Sequence, residues 1–477
     1  MSTSIFYRLL NAIALPLALS ACAITLPETQ VDAQTAPQWQ TALPHQGAVG
    51  ALTSWWQEQG DPELVKLIEA AQAAAPSVAQ ALSRIEAARA LQAATSAVLL
   101  PNVNAAIAGT RSVSQPGVPL GSGVQAGLQA SWELDLVGAN RAASRAAQAQ
   151  IEGAQAQWHD ARVSVAAEVA NLYFGLHTCQ AVLELAQQDA ASRAETARLS
   201  DAMANAGLMP ASGAALAHAG AAESRNRTTQ QAAQCDLAVK ALVALTALPE
   251  QELRQKMARS RAAPAQPKPL AVTAVPAQTI TQRPDVFAAE RALVVSSVEV
   301  GVAKAQRYPR LNLSGSIGRL RYDSEGITTN LNTWSFGPLG LSLPVFDGGQ
   351  RAANVTAAQA RHDEAVTLYR AVVRQAVREV EEALVNLQAT EARRDDASVS
   401  ARGYKQLLAA TQARHAQGLA SVMELEDARR MALASEATQL ALQLERHRAW
   451  VALYRALGGG FDPRATAVSV NQPFVAP

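Results

Sequence analysis

Aromatic side chains supply only 4% of this 477-residue chain, cysteines number three, and the formal net charge is +1. The scarcity of aromatics argues against one thick globular core. Much of the 49% hydrophobic content is alanine, which suits thin packing of helix on helix. The near-zero charge, spread along the chain, removes the long-range field that draws proteins to nucleic acid, so no nucleic-acid partner is expected. Catalytic motifs are missing too. The seven histidines are scattered without an HExxH pair, and there is neither a nucleophile elbow nor a P-loop. His362-Asp363-Glu364 gathers imidazole and carboxylates, but adjacent residues on a helix point apart, and this reads as a solvated face. No enzyme activity, metal site or cofactor is expected. Proline is absent from residues 139–206, so a helix there can run unbroken for about 100 Å at ~1.5 Å per residue.

What is present is a duplication. Pro101-Asn102-Val103-Asn104, Arg141-Ala142, Glu168-Val169 and Gly207-Leu208 recur in order as Pro309-Arg310-Leu311-Asn312, Arg351-Ala352, Glu379-Val380 and Gly418-Leu419. The offset drifts only from 208 to 211 residues, far above any solenoid period. Each copy holds two alternating segments: Val103, Ala105 and Ile107, then 124–136; and Leu311, Leu313, Gly315 and Ile317, then Trp334, Phe336, Leu339, Leu341, Leu343 and Val345. Spacing of two predicts four strands, each of about ten residues and long enough to cross a membrane when tilted. The long helices carry coiled-coil seams, Val165, Val169, Leu172, Leu176, Cys179 and Leu183 in the first copy and Val373, Val377, Val380, Leu384 and Leu387 in the second. Each ends at a Gly-Leu turn, and return helices over 211–248 and 421–457 follow.

Other boundaries come from punctuation. Arg8 precedes an apolar stretch over 9–19, interrupted by Asn11 and too short to span a bilayer, which is the layout of a secretory signal peptide over 1–21. Leu19-Ser20-Ala21-Cys22 resembles the bacterial lipobox, making Cys22 a lipid-attachment site; the alternative is an ordinary cleavage site beside a chance cysteine. Ala23, in place of the aspartate of an inner-membrane retention signal, points to the outer membrane. Residues 22–60 read as a lipidated tether, 61–250 as the first repeat, 251–282 as a Pro-rich linker, 283–460 as the second repeat and 461–477 as a tail. Asp61-Pro62 fits the start of a helix, with Asp61 as N-cap.

Four strands cannot close a barrel, and an open sheet edge is intolerable in lipid, so a symmetric oligomer is required. At this point the chain resembles a known family. The run Arg283-Pro284-Asp285-Val286-Phe287-Ala288-Ala289-Glu290-Arg291-Ala292-Leu293, continuing to Tyr308-Pro309-Arg310-Leu311, is similar to the signature of TolC-type outer-membrane efflux lipoproteins of the NodT group. Trp132-Glu133-Leu134-Asp135-Leu136, Pro344-Val345-Phe346-Asp347-Gly348-Gly349-Gln350-Arg351 and Leu457-Gly458-Gly459-Gly460 add to the resemblance.

The resemblance implies a mostly α fold with a membrane β-barrel part. It also implies a homotrimer giving four strands per chain to a twelve-stranded barrel, continued by a coiled-coil tunnel in the periplasm. It implies a passive exit duct for small toxic compounds, driven by an inner-membrane RND-type pump through a periplasmic adaptor. Gly207, Leu208 and Met209, with Gly418, Leu419 and Ala420, would form the periplasmic tip and gate. Ala420 stands where some members carry an aspartate. That leaves two readings, charge from Asp201 or Glu424, or an apolar closure by Leu208, Met209 and Leu419. Cys179 and Cys235 lie equidistant from Gly207 on opposite arms, either as a disulfide or as two buried free thiols. The competing functions are a duct for type I protein secretion and a lipid-anchored periplasmic coiled-coil scaffold without a pore.

Overall fold

The computed structural model describes residues 25–29, 31–32, 55–58, 61–113, 120–259, 280 and 283–462. Cys22 and most of the linker and tail lie outside the described residues. In chain order the elements are α1 (Trp55–Glu58), α2 (Pro62–Ala74), α3 (Pro76–Ala97), β1 (Asn102–Ser112), β2 (Gly121–Leu134), α4 (Ala139–Asn205), α5 (Ala211–Thr246), α6 (Glu250–Arg259), α7 (Pro284–Ala305), β3 (Arg310–Ser324), β4 (Ile327–Ser342), α8 (Gln350–Ala416) and α9 (Val422–Ala456). The chain forms two compact units: Met1–Ala33, Leu82–Gln155 and Ala288–Ala371, and Gln34–Ala81, Ala156–Phe287 and Val372–Pro477.

The first unit contains one antiparallel sheet in the order β1-β2-β3-β4. Its strands hold 11 to 16 residues, longer than the expected ten. Glu325 and Gly326, with φ of 50° and 82°, make the two-residue turn between β3 and β4, the conformation that matches strand twist. β4 stops at Ser342, short of Leu343 and Val345, opposite Arg310, where its partner strand β3 begins. Both long helices then start on an aspartate. Asp135 accepts the backbone N–H groups of Asn140 (3.2 Å) and Arg141 (3.0 Å), and Asp347 those of Gly349 (3.0 Å) and Arg351 (3.1 Å). The duplication therefore repeats a helix-starting device. Burial opposes ionisation of Asp135, but these N–H groups outweigh it and hold the carboxyl below its usual range. At Asp347 the Arg351 and Gly349 N–H groups do the same.

The second unit is helical. Asp61 caps α2 by accepting from Glu63 N (3.1 Å) and Leu64 N (3.3 Å), and Pro62 sits in the first turn. Leu64, Leu67, Ile68 and Ala71 recur at helical spacing and are buried. Tyr173 Oη donates to the same carboxylate at 2.5 Å, tying α2 to α4. Pro76 forces Ala75 into extended backbone and ends α2. The predicted seams face inward: Val169, Leu176, Val380 and Leu384 are buried together with Leu242, Leu253 and Leu453.

Three boundaries are corrected. The tether reading of 22–60 fails at α1, where Trp55 and Trp56 are buried and both pack on Tyr454, with ring centroids 5.1 and 4.9 Å away. Indoles bury too much apolar area to be left in solvent, and the polar composition around them hid this. The linker reading of 251–282 fails at α6, whose Leu253 and Met257, one helical turn apart, are buried. The tail begins only after Phe461, which is buried against Phe287 and His159. Glycine is needed just before it. Gly459 has φ of 58°, and a Cβ there would lie 2.3 Å from Val163 Cγ2.

Gly459→Ala is therefore expected to destabilise the helical unit by about 2–4 kcal/mol, from the left-handed backbone and the overlap together. A thermal melt of the purified variant checks this; an unchanged melting temperature contradicts it.

Candidate functional site

Two regions hold the residues singled out from the sequence. One is the sheet. Residues paired directly across antiparallel strands share a face. The pairing aligns Ala105–Leu128–Ile317–Trp334 in one row and Val103–Ala130–Gly315–Phe336 in the next, followed by Trp132–Leu313–Leu339 and Leu134–Leu311–Leu341. This face is apolar yet exposed: Ile107, Trp334 and Phe336 are 82%, 78% and 83% accessible. The opposite face carries Asn104–Gln129–Ser316–Ser335 in a single row, closed by a 2.9 Å contact between the two serine hydroxyls. Toward the strand ends that join the helices the sheet is thus two-faced, although β4 alone does not read so. The reason is a register shift between Leu313 and Gly315, which inserts one extra residue into β4 and moves its apolar positions from even (Trp334, Phe336) to odd (Leu339, Leu341) numbers. β1 and β4 lie at the sheet edges.

The other region is the pair of helical turns. Gly207 and Gly418 have φ of 74° and 73°. Leu208 N bonds to Met203 O (2.9 Å) and Gly207 N to Ala204 O (3.0 Å); Leu419 N bonds to Arg414 O (2.8 Å) and Gly418 N to His415 O (2.9 Å). Both are Schellman motifs, in which a left-handed residue closes the last helical turn. Leu208 and Leu419 stand 75% and 64% exposed, whereas Ala420 is buried and Met209 is half-buried over Gly213. Asp201 is paired with His218 Nε2 (2.7 Å), and Glu424 completes a capping box with Ser421. The second turn is further held by Arg414 donating to Leu419 O (3.0 Å) and by His415 Nδ1 near Ala420 O (2.9 Å). Pro210, which starts α5, makes no side-chain cap. Away from the turn, a Cys179–Cys235 disulfide joins α4 to α5, with Cα atoms 5.6 Å apart.

A cluster that sequence reasoning passed over lies in the signature segment. Arg283 is buried and donates to both Asp285 oxygens (2.9 and 2.6 Å), to Glu379 Oε2 (2.8 Å) and to Ala456 O (2.8 Å). One guanidinium thus ties the start of α7 to α8 and to the end of α9. The duplication held the clue. The aligned position in the first repeat is Ala75, also buried, so the ion network belongs to one copy only. Burial and then the nearby Asp285 carboxylate push Asp160 above the usual range, against the pull of Arg455 and Arg283.

An exposed apolar sheet face, a polar face behind it, two unpaired edges and two long helical hairpins on one chain are features of the outer-membrane duct class. The chain belongs to the outer membrane efflux protein family, whose sequence profile matches residues 67–248 and 275–459. It is 32% identical over 464 residues to outer membrane protein OprJ of Pseudomonas aeruginosa, covering 95% of this chain and 96% of OprJ. Nodulation protein T of Rhizobium leguminosarum bv. viciae is 26% identical, with 95% and 93% covered. Among solved structures, the open state of the MtrE outer membrane channel of Neisseria gonorrhoeae superposes with a TM-score of 0.77 at 26% identity, over 92% of this chain and 99% of MtrE. The protein is an outer-membrane efflux duct of the NodT/TolC type.

Removing the buried guanidinium in Arg283→Ala strands two carboxylates and is expected to cost about 3–5 kcal/mol, read as a lower denaturation midpoint; a midpoint within error of wild type contradicts this. Asp160 gives a pH signature. A carboxyl with a raised folded pKa contributes stability below its unfolded pKa, and that contribution is lost as pH rises through the folded value. The melting temperature of Asp160→Asn relative to wild type should therefore climb as pH increases from about 4 to 7, and a flat difference contradicts the assignment.

Proposed function

We propose that three copies of this chain each give four strands to a twelve-stranded outer-membrane barrel, and that their helical hairpins continue it as a periplasmic tunnel. One observation carries the proposal: the sheet has an apolar exposed face but leaves the edges of β1 and β4 unpaired. Closed symmetric assembly satisfies such edges in lipid, and three copies give an even strand number wide enough for a channel. The serine, asparagine and glutamine rows then face water inside.

The duct is passive. Small toxic compounds pass through it, driven by an inner-membrane RND-type pump through a periplasmic adaptor. A wide, weakly charged polar lining needs no recognition site, so substrate choice rests with the pump. The exposed Leu208 and Leu419 support an apolar closure at the tip; Asp201 and Glu424 are already engaged with His218 and Ser421. A cavity of about 300 Å³ near the turns, lined by Thr196, Met209, Leu216, Met423 and Glu426, supports docking of the adaptor there.

Cys22 is the lipid-attachment site in this reading. Ser297 Oγ donates to Pro27 O (2.8 Å) and Lys304 Nζ to Thr25 O (3.4 Å), so toward the N-terminus the chain advances along α7 in the direction of β3. Thr25, three residues from Cys22, thus lies beside the last turn of α7, which supports a lipid that enters the membrane near the start of β3.

Single-channel recording in planar bilayers tests the duct. Purified protein is expected to conduct, with Leu208→Ala/Leu419→Ala raising the open fraction several-fold; a protein that never conducts, even with both leucines removed, rules the duct out. For the anchor, intact mass of Cys22→Ser should lack the acyl mass carried by wild type, and equal masses contradict lipidation at Cys22.

A further inference from the structure

We infer that the outward face of the sheet carries, at its hairpin end, a binding patch for phosphate-bearing lipid headgroups of the outer leaflet, built from Arg111, Arg319 and Arg321. The inference rests on the barrel reading above. Starting from the Leu134–Leu311–Leu341 row, the apolar face continues for about 26 Å along the strand at ~3.3 Å per residue, to the row Ile107–Ala126–Arg319–Asn332. Above it on the same face lie Gly109–Val124–Arg321–Asn330 and then Arg111–Ser122–Asp323–Thr328. The sheet thus turns from hydrocarbon-facing to cationic within one row.

Three features favour an anionic headgroup as the occupant. All three arginines are exposed. Against them stands one carboxylate on that face, Asp323, whose Oδ2 is 3.4 Å from Arg321 Nε and which also accepts the Thr328 hydroxyl. Among the described residues neither Arg111 nor Arg319 has an ion-pair partner. Finally, the height fits. A lipid-facing arginine is costly at the bilayer midplane and nearly free at the interface, and here arginines start only where the apolar rows end.

The strand ends that join the helices face the periplasm, so the hairpin end meets the outer leaflet. Guanidinium groups bind phosphate through paired N–H donors, which suits them to this face better than to open water. Arg319 and Arg321 lie about 7 Å apart along one strand, and Arg111 about 12 Å from Arg321 across two strands, by ordinary sheet spacing. That span matches a headgroup bearing two phosphates. No residue of the polar face or of the helical turns takes part, so the patch is separable from conduction.

The test is native mass spectrometry of the purified full-length protein with diphosphorylated lipid A and with the same lipid A after removal of its phosphates. Wild type is expected to retain the phosphorylated form roughly 30-fold more than the dephosphorylated form, from a net two charges per patch. Arg111→Gln/Arg319→Gln/Arg321→Gln should bring the two forms level while conducting normally in planar bilayers. Arg111→Lys/Arg319→Lys/Arg321→Lys should keep most of the preference. A conducting wild type without preference, or a Gln variant that keeps it, overturns the patch and leaves the barrel standing. A wild type that never conducts overturns the barrel and the patch with it. Should the Gln variant fail to fold, the wild-type comparison still decides.

Discussion

The outer edges of β1 and β4 carry backbone N–H and C=O groups with no strand partner in their own sheet, and in hydrocarbon each unsatisfied group costs several kcal/mol. Nearly everything distinctive about the chain follows from that requirement. It is what the proposed assembly would satisfy, since a single sheet of four strands cannot close on itself. It gives a purpose to the apolar face, which would be an aggregation liability on a soluble protein but is the surface lipid demands. In the proposed barrel it would also explain the row of serine, asparagine and glutamine behind that face, because a closed sheet with lipid outside has water within.

The duplication solves the same problem economically, and its copies diverge where their surroundings differ. Asp135 and Asp347 start the two long helices in the same way, and Gly207 and Gly418 end them in the same way. Only the first hairpin has a disulfide across its shaft, and its turn lacks a side-chain cap at Pro210. The second has no such bridge, yet its turn is tied by the Ser421–Glu424 capping box, by Arg414 and by His415. One hairpin is closed covalently along its shaft, and the other has the capped turn. Arg283 belongs to the second copy alone, where it ties three helices through one buried charge.

Much of this was legible in the sequence, for reasons that can be named. The helices were readable because their seams repeat every three or four residues over tens of residues, and no local accident mimics that. The strand pairs were readable because the two copies corroborate each other. What stayed hidden depended on partners distant in sequence. The apolar face was obscured by one extra residue in β4, which shifts the alternation halfway along and becomes visible only once Leu313 is paired with Leu339 and Gly315 with Phe336. Trp55 and Trp56 looked like part of a polar tether until Tyr454 was placed beneath them. Arg283 stood out only as the first residue of the family-like run; its buried role needs Glu379 and the Ala456 carbonyl, which lie 96 and 173 residues away.

The account stands or falls on how the strand edges are satisfied. Native mass spectrometry of the full-length protein released from detergent measures this directly by counting chains per particle. Three chains per particle is the result the account predicts; a monomer, or a particle of any other number of chains, would contradict it.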